Sequence, residues 1–504
     1  MNGTAVSRRH SNSSKDDEGP NMKTKEGSQT SMATENHRKE ESIAETEASG
    51  RNPVQPTKSV MVAEAEWKES FLPDSPQCVH IPKIENVVSD YNIQIAIKAV
   101  KRNKGAPGID GITVSDIKKL MMELWPKVKQ DILEGKYRPT PVRGVKIPKP
   151  DGSGVRQLGI PTVMDRIIQQ ALYQELVGAF EPIFSENSYG FRPNRNAHQA
   201  VLKAQSYIQE GCDWVVDIDL EKFFDRVNHD ILMSRVARRV KDKKILLLLR
   251  RYLQAGIMEN GLYKVSEEGT PQGGPISPLL SNIMLDDFDK ELEARGLRFA
   301  RYADDCNIYV KSEKAGQRVM ESLIKFLTTK LKLKVNQQKS AVARPWERKF
   351  LGFTFIKGSK PGLIKVHESR IKRFKDKIRG LTKKMRGNNP TESIKRFIMP
   401  ITRGWANYFG LADIKTIFND LDGWIRRKIR GIIWRQWKKL RTRLTKLIAA
   451  GFSRNTARKW AYSSKGPWRM AKTYCMHKAL SNSIIEEMGY IPMAKMVQIR
   501  SECS

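Results

Sequence analysis

Two short runs combine carboxylates with strand-forming residues. VVDIDLEKFFD carries Asp217 and Asp219, and RYADDCNIYV carries Asp304 and Asp305. A carboxylate taken out of water without a partner costs on the order of several kcal/mol, so its place in an apolar run needs a reason. Successive strand residues face opposite sides, which puts Asp217 and Asp219 on one face. Asp304 and Asp305 can share a site only where the backbone bends. RFARY, ADD and CNIYV read as strand, tip and strand. Aspartates without histidine or cysteine favour a hard divalent cation such as magnesium. Two such ions suit in-line phosphoryl transfer, one activating a hydroxyl and the other neutralising phosphate charge. No histidine stands near either run except His229, and this chemistry needs none. Taken alone, YADD reads equally well as a pair of solvent-facing turn acids; the second acidic strand favours the cation.

These runs need elements to position them. RGVKIPKPDGSGVRQLGIP alternates like a hairpin, with its turn at Asp151–Gly154. Helical apolar spacing marks IENVVSDYNIQIAIKAVKRNKG, which stops at Gly105, and VSDIKKLMMELWPKVKQDILEG, a helix or helix pair. It also marks DRIIQQALYQELVGAFEPIF, HDILMSRVARRVKDKKILLLLRRYLQAG, LLSNIMLDDFDKELEARG and residues 315–332. FLGFTF is strand-like. From about residue 365 the chain reads as helical and basic: residues 365–444 hold 23 Lys/Arg against 6 Asp/Glu, interleaved with Trp405, Trp424, Trp434 and Trp437. Trp405, Tyr408 and Phe409 recur at helical spacing and are expected to be core. Strands mixed with helices, then helices alone, give an α+β body with an α-helical appendage.

Composition bounds the partners. The 504-residue chain has a formal net charge of +35, and residues 1–75 carry −3, leaving +38 on the other 429. Such an excess repels itself unless a polyanion is present, which points to nucleic acid. Residues 1–78 are too poor in large apolar residues to offset chain entropy and are expected to be disordered. The five cysteines are far apart with no CxxC pair, so neither a disulfide framework nor a zinc site is suggested, and a reducing cytoplasm fits. No apolar run approaches a membrane span, and no membrane partner is expected.

The motifs also occur in a recognisable order: IPKPDGSGVRQLGIP, SYGFRPNRNAHQAV, VVDIDLEKFFDRVNHDIL, EGTPQGGPISPLLSNIMLDDFD, RYADDCNIYVK, LKLKVNQQKS and KFLGFTF. This series resembles the ordered blocks of group II intron-encoded reverse transcriptases. RGWANYFGLAD and DGWIRRKIRGIIWRQWKK look like the maturase, or thumb, domain of that family. The resemblance implies a right-hand polymerase with fingers and palm on an antiparallel sheet and a helical thumb. After the compositionally disordered extension over 1–78, it implies a helical N-terminal extension of the fingers over 79–135 and fingers and palm over 136–356. A thumb/maturase domain over 357–445 and a short basic nucleic-acid-binding region over 446–504 would follow, as in compact group IIC members without an HNH endonuclease.

By the same resemblance, Asp219, Asp304 and Asp305 match the catalytic acids that hold two Mg2+ ions, whereas Asp217 departs in position. Phe224, five residues after Asp219, matches the gate that excludes a 2′-hydroxyl. Gln272 of PQGG, Arg156 and Lys149 match residues that approach the incoming nucleotide, with Lys146 a weaker match. Arg192, Arg195, Arg426, Arg427, Lys428, Arg430 and Arg435 are the expected contacts to template, primer or intron RNA. His198 is expected to cap or pack. The implied partners are group II intron RNA, an RNA template on a DNA primer, target DNA and deoxynucleotides, in a bacterial cytoplasm or at the nucleoid. The implied function is RNA-directed DNA synthesis coupled to splicing and retrohoming by target-primed reverse transcription. Two other uses fit the same residues: an RNA-binding splicing cofactor with vestigial polymerisation, and a domesticated polymerase of DNA repair or phage defence.

Overall fold

The computed structural model describes residues 80–148, 154–259, 262–264, 268–270, 273–358 and 361–502. The extension expected to be disordered, together with Lys149 and Gln272, lies outside the described residues.

The first helical layer is broken where local chemistry breaks it. One helix was expected up to Gly105, but a short turn, Ile84–Val87, is separated from Asp90–Asn103. Ser89 is the reason: its hydroxyl accepts from the Asn92 amide and caps the longer helix. The next segment is a pair, Ile117–Glu123 and Trp125–Leu133. The first layer packs on the almost wholly buried helix Val163–Phe180, and the pair packs against Ile84–Val87 within the same core. A single helix expected up to Gly256 is also two, His229–Ala237 and Lys243–Gln254. Asp242 caps the second by accepting from the Lys244 and Ile245 amides.

Strands β1 (Val142–Pro148) and β2 (Val155–Ile160) form the expected hairpin, with Ile147 opposite Arg156. They join β4 (Ile257–Glu259) and β5 (Leu262–Lys264) in the order β2-β1-β4-β5. The β1–β4 pair is parallel, so this fingers sheet is mixed rather than wholly antiparallel.

The palm sheet is antiparallel throughout. It runs β6-β7-β3-β8, from β3 (Trp214–Ile218), β6 (Arg298–Tyr302), β7 (Asp305–Val310) and β8 (Ala341–Ala343). Its two faces feed two different cores, as period-two alternation requires. Val216, Ile218 and Ile308 point into a cluster with the fingers helices, the helix Ser277–Ala294 and the helix Glu313–Lys330. Val215, Ala300 and Tyr309 point into a second cluster with Ala197–Gln209 and the thumb.

The thumb begins at the β9–β10 hairpin (Phe353–Phe355 and Ile364–Val366) and continues through helices Glu368–Lys384, Met399–Phe409 and Thr416–Gln436. Trp405, Tyr408 and Phe409 are buried among one another and Phe353, Phe374 and Phe418. Burying aromatic side chains of this size stabilises by roughly 1.5–3 kcal/mol each. The expected boundary between 445 and 446 falls inside the helix Leu440–Ala449. The residues beyond it are not a loose basic tail. Cys475, Met476, Ile485 and Met493 lie in the same cluster as the thumb. Buried Asp422 also accepts from the Tyr490 hydroxyl at 2.5 Å and from the Met493 and Ala494 amides at 2.9 and 3.0 Å. The apolar continuity, not the charge, decides where this unit stops.

Candidate active site

The β6–β7 hairpin is tighter than strand, ADD tip, strand. Only Ala303 and Asp304 form the turn, and Asp305 already pairs with Tyr302 in the ladder. Ala303 takes φ +58°, the left-handed region that non-glycine residues avoid. This bend is what lets two consecutive acids serve one site.

Across the sheet, Asp217 lies opposite Asn307 and Ile218 opposite Cys306, so the end of β3 reaches the hairpin tip. Asp219 follows immediately. Its backbone is held by the LKLKVNQQKS segment: the Asn336 amide donates to the Asp219 carbonyl at 2.8 Å, and the Asp219 amide donates to the Ser340 hydroxyl at 3.0 Å. That sixth block therefore has a local task, fixing the backbone at an acid.

The carboxylates repel one another. Burial raises the Asp304 carboxyl above the usual carboxylate range, and Asp219 adds to it while Arg156 opposes. Burial of the carboxyl at the hairpin, then repulsion from Asp304, Asp217 and Asp219, pushes Asp305 up to about 7, although the residue as a whole is exposed. Among the described residues no cation lies within ion-pair distance of Asp304 or Asp305. Asp219 faces Lys339 at 4.0 Å. Asp217 differs: Arg348 donates to its Oδ2 from Nε at 2.9 Å and from Nη2 at 2.5 Å. Its charge is answered by two arginine donors, which separates it from Asp304 and Asp305 and from Asp219, whose cation stands off at 4.0 Å.

This donor set suits a hard divalent cation, because all its ligand atoms are carboxylate oxygens and Lys339 at 4.0 Å offsets only part of the negative charge. Among the described residues no group of three His, Cys, Asp or Glu side chains already closes around one point. The residues fit the ion in chemistry; they do not form a preset cage.

Phe224 sits in a turn after Asp219, half-buried, with its ring edge-on to Phe223 at 5.2 Å. Its carbonyl accepts from the Thr270 amide at 2.6 Å, which ties the turn to the start of the PQGG segment. His229 is buried and bonds the Gly269 carbonyl at 2.7 Å, so it is part of that tie and not a base. Arg156 is exposed on β2 and acts electrostatically on Asp304. Lys146 is paired with Glu259 at 2.5 Å.

Several expected nucleic-acid contacts are placed otherwise. Arg192 is buried; it pairs with Glu181 and donates to the Ser185 and Ser188 carbonyls. Arg430 is 2% exposed and donates to the Leu480 carbonyl and Asn482 Oδ1. Both are structural, because their donors are consumed inside the protein. Arg195 is held by Glu186 beside the Tyr189 ring. His198 packs on Phe353 and Tyr408 and bonds the Tyr408 carbonyl at 2.6 Å, in line with its packing role. Arg435 is exposed. Arg426, Arg427 and Lys428 are half-buried, and Arg427 stacks 3.7 Å from the centre of the partly exposed Trp468 ring, with Lys428 at 5.0 Å. Trp468 was not singled out in the sequence, although KGPWRMAKTY places it among cations.

A sheet carrying two acidic strand ends, flanked by a fingers sheet and a helical thumb, defines a right-hand, template-dependent polymerase. Comparisons with known proteins narrow the class. Residues 147–355 match the reverse transcriptase (RNA-dependent DNA polymerase) family, and residues 371–448 match the group II intron maturase-specific domain. Protein YkfC of Escherichia coli K12 is 35% identical over 49% of this chain and 75% of its own length. The group II intron-encoded protein LtrA of Lactococcus lactis is 34% identical over 51% of this chain and 41% of its own. A putative COX1/OXI3 intron 2 protein of Saccharomyces cerevisiae is 33% identical over 50% of this chain and 29% of its own. The chain thus spans most of YkfC but less than half the length of the two intron-encoded relatives. It belongs to the group II intron-encoded reverse transcriptase/maturase family, and its enzyme class is RNA-directed DNA polymerase. Reverse transcriptase domains are generally magnesium-dependent nucleotidyltransferases. Among the described residues no helix is long and apolar enough to cross a membrane.

Proposed function

We propose that this chain extends a DNA primer on an RNA template with deoxynucleotides, and that it binds the group II intron RNA whose splicing and retrohoming it serves. The observation that carries the reading is the gathering of acids at the end of β3 and the β6–β7 tip beside the Phe224 turn, Asp219 next to Asp304 and Asp305, the last two with no cation at ion-pair distance among the described residues. These three carboxylates would hold two Mg2+ ions. When bound, the ions supply a lowered pKa at the primer 3′-hydroxyl and charge neutralisation on the triphosphate.

The chain's own residues do the rest. Arg156 presents positive charge to the side of the site where Asp304 lies, which suits the triphosphate of an incoming nucleotide. Phe224 presents an aromatic edge that leaves no room for a 2′-hydroxyl. Arg348 neutralises Asp217 and keeps it from competing for a cation. The Trp468 surface with Arg427 and Lys428, and exposed Arg435, suit an RNA backbone and its bases, since stacking and phosphate contacts need no sequence-specific shape. Lys149 and Gln272 complete the nucleotide contacts in this reading. Work in the cytoplasm and at the nucleoid follows from these partners.

The deciding experiment is primer extension on an annealed RNA template and DNA primer with magnesium and deoxynucleotides. The wild type is expected to extend and the Asp304→Asn/Asp305→Asn variant to fail while still binding RNA. Extension by both would refute the site. Failure by both, with RNA bound tightly, would favour a splicing cofactor.

A further inference from the structure

A fully engaged arginine lies directly behind the turn that carries Asp304. Arg301, on β6, is 1% exposed, and its partner Asp289, on the helix Ser277–Ala294, is 0% exposed. The guanidinium has five N–H donors, and each is used. Nε donates to Asp289 Oδ1 at 2.6 Å, and Nη2 donates to Asp289 Oδ2 at 2.5 Å and to the Ser188 hydroxyl at 2.7 Å. Nη1 donates to Asn282 Oδ1 at 3.1 Å and to the Ala303 carbonyl at 2.8 Å.

That last bond reaches the residue at φ +58° on which the turn depends. A second element closes on the same point. The SYGF segment runs beside β6: the Arg301 amide donates to the Asn187 carbonyl at 2.9 Å, and the Tyr189 amide donates to the Arg301 carbonyl at 2.8 Å. Asn282 Nδ2 donates to the Gly190 carbonyl at 2.8 Å. A Cβ at Gly190 would stand 2.2 Å from the Ala303 amide nitrogen, so only glycine permits this approach.

A buried ion pair is a poor way to add stability, because desolvation offsets the Coulomb gain and an apolar pair often does as well. Its value is geometric: a planar fork with all donors committed fixes several backbone points at once. We propose that Arg301, locked by Asp289, Asn282 and Ser188, is a positioning residue that sets the Ala303–Asp304 turn and with it the spacing of the catalytic carboxylates. The motif SYGF thereby serves as the back wall of the hairpin and not as a template contact. The role in catalysis rests on the polymerase reading above; the geometric clamp does not.

The test uses the full chain. Arg301→Lys keeps the charge but concentrates its donors at one point, so it cannot span Asp289 and Ala303 together. The saturated extension rate is expected to fall roughly ten- to hundredfold, as small misplacements of reacting groups do, with KM for deoxynucleotide changed less than about twofold. Hydrogen exchange at Ala303–Cys306 is expected to quicken while the helix Thr416–Gln436 keeps its protection. An unchanged rate with unchanged hairpin exchange overturns the proposal. The double variant Arg301→Met/Asp289→Leu separates positioning from stability: it is expected to melt near the wild-type temperature yet stay slow with a loosened hairpin. Wild-type rate in that variant also overturns the proposal. If the double variant does not fold, Arg301→Lys decides alone. Because exchange needs no polymerisation, a wild type that extends nothing but loosens as stated on Arg301→Lys refutes the polymerase and keeps the clamp.

Discussion

The palm acids and the thumb arginines are both charged groups in a packed protein, and their surroundings are opposite. Asp304 and Asp305 stand beside further carboxylates, and burial and mutual repulsion hold their protons on more tightly than usual. Arg430, buried in the thumb, gives its donors to the Leu480 carbonyl and Asn482. A charge whose partners are all inside the protein is architecture. A charge the fold has gathered with its like, and left unanswered, is waiting for something from outside. The same rule sorts Asp217, answered by Arg348, from Asp304 and Asp305, and it sorts Arg192 from Arg435.

The largest break in this contrast comes from the palm. Asp304→Asn/Asp305→Asn should lower primer extension by about a thousandfold or more, since metal-borne charge stabilisation is worth several kcal/mol. RNA affinity, measured by filter binding, should stay within about twofold, because neither acid contacts a phosphate without an ion. Next is Phe224→Ala, which should raise ribonucleotide incorporation relative to deoxynucleotide by roughly tenfold or more, read from competing single-nucleotide additions. Its fold should survive, as the ring is only half-buried.

The thumb supplies a paired comparison of smaller size. Arg430→Ala should cost about 1–3 kcal/mol in denaturant unfolding, by stranding a buried carbonyl. Arg435→Ala should cost less than about 0.5 kcal/mol. It should instead weaken RNA binding and reduce the slope of affinity against salt by about one. An Arg430→Ala protein with unaltered stability and a reduced salt slope would reverse the assignment.

The smallest effect tests a paired charge remote from both regions. His80 lies 3.2 Å from Glu175, and that hydrogen bond raises its pKa above 6.5. A raised histidine value stabilises the fold fully below the ordinary pKa and ceases to do so as pH climbs through the folded-state value. The stability gap between wild type and His80→Gln should therefore shrink from about 0.5 kcal/mol at pH 6 towards nothing at pH 8, a size suited to a partly screened pair.

Much of the palm was legible because its signals are local. Alternation in VVDID puts Val216 and Ile218 on one face and Val215 and Asp217 on the other, and the structure keeps that division. The aromatic spacing of GWANYF marked a core. Helix interruptions were less legible, since a single capping Ser89 or Asp242 outweighed a continuing apolar period. The arginines were the least legible. Whether Arg430 faces RNA or a carbonyl fifty positions later depends on chain folding that no local pattern encodes. One signal does lie in the sequence: Asn282 and Asp289 fall seven apart in LLSNIMLDDFD, on one face of the helix. A buried acid at that spacing asks for a buried cation, and Arg301 lies in the apolar strand that follows.

The second hydrophobic cluster joins Val215 and Tyr309 of the palm to Trp405, Phe418 and Met493. His198 and the Tyr408 hydroxyl, which donates to the Leu351 carbonyl at 2.8 Å, rivet the two sides. The surface that would grip RNA and the sheet that carries the acids are therefore cast in one piece, like the fixed jaw of a caliper. Whatever length such a jaw would measure is written into its apolar residues, and a cut after residue 445 would blunt the instrument rather than remove an accessory.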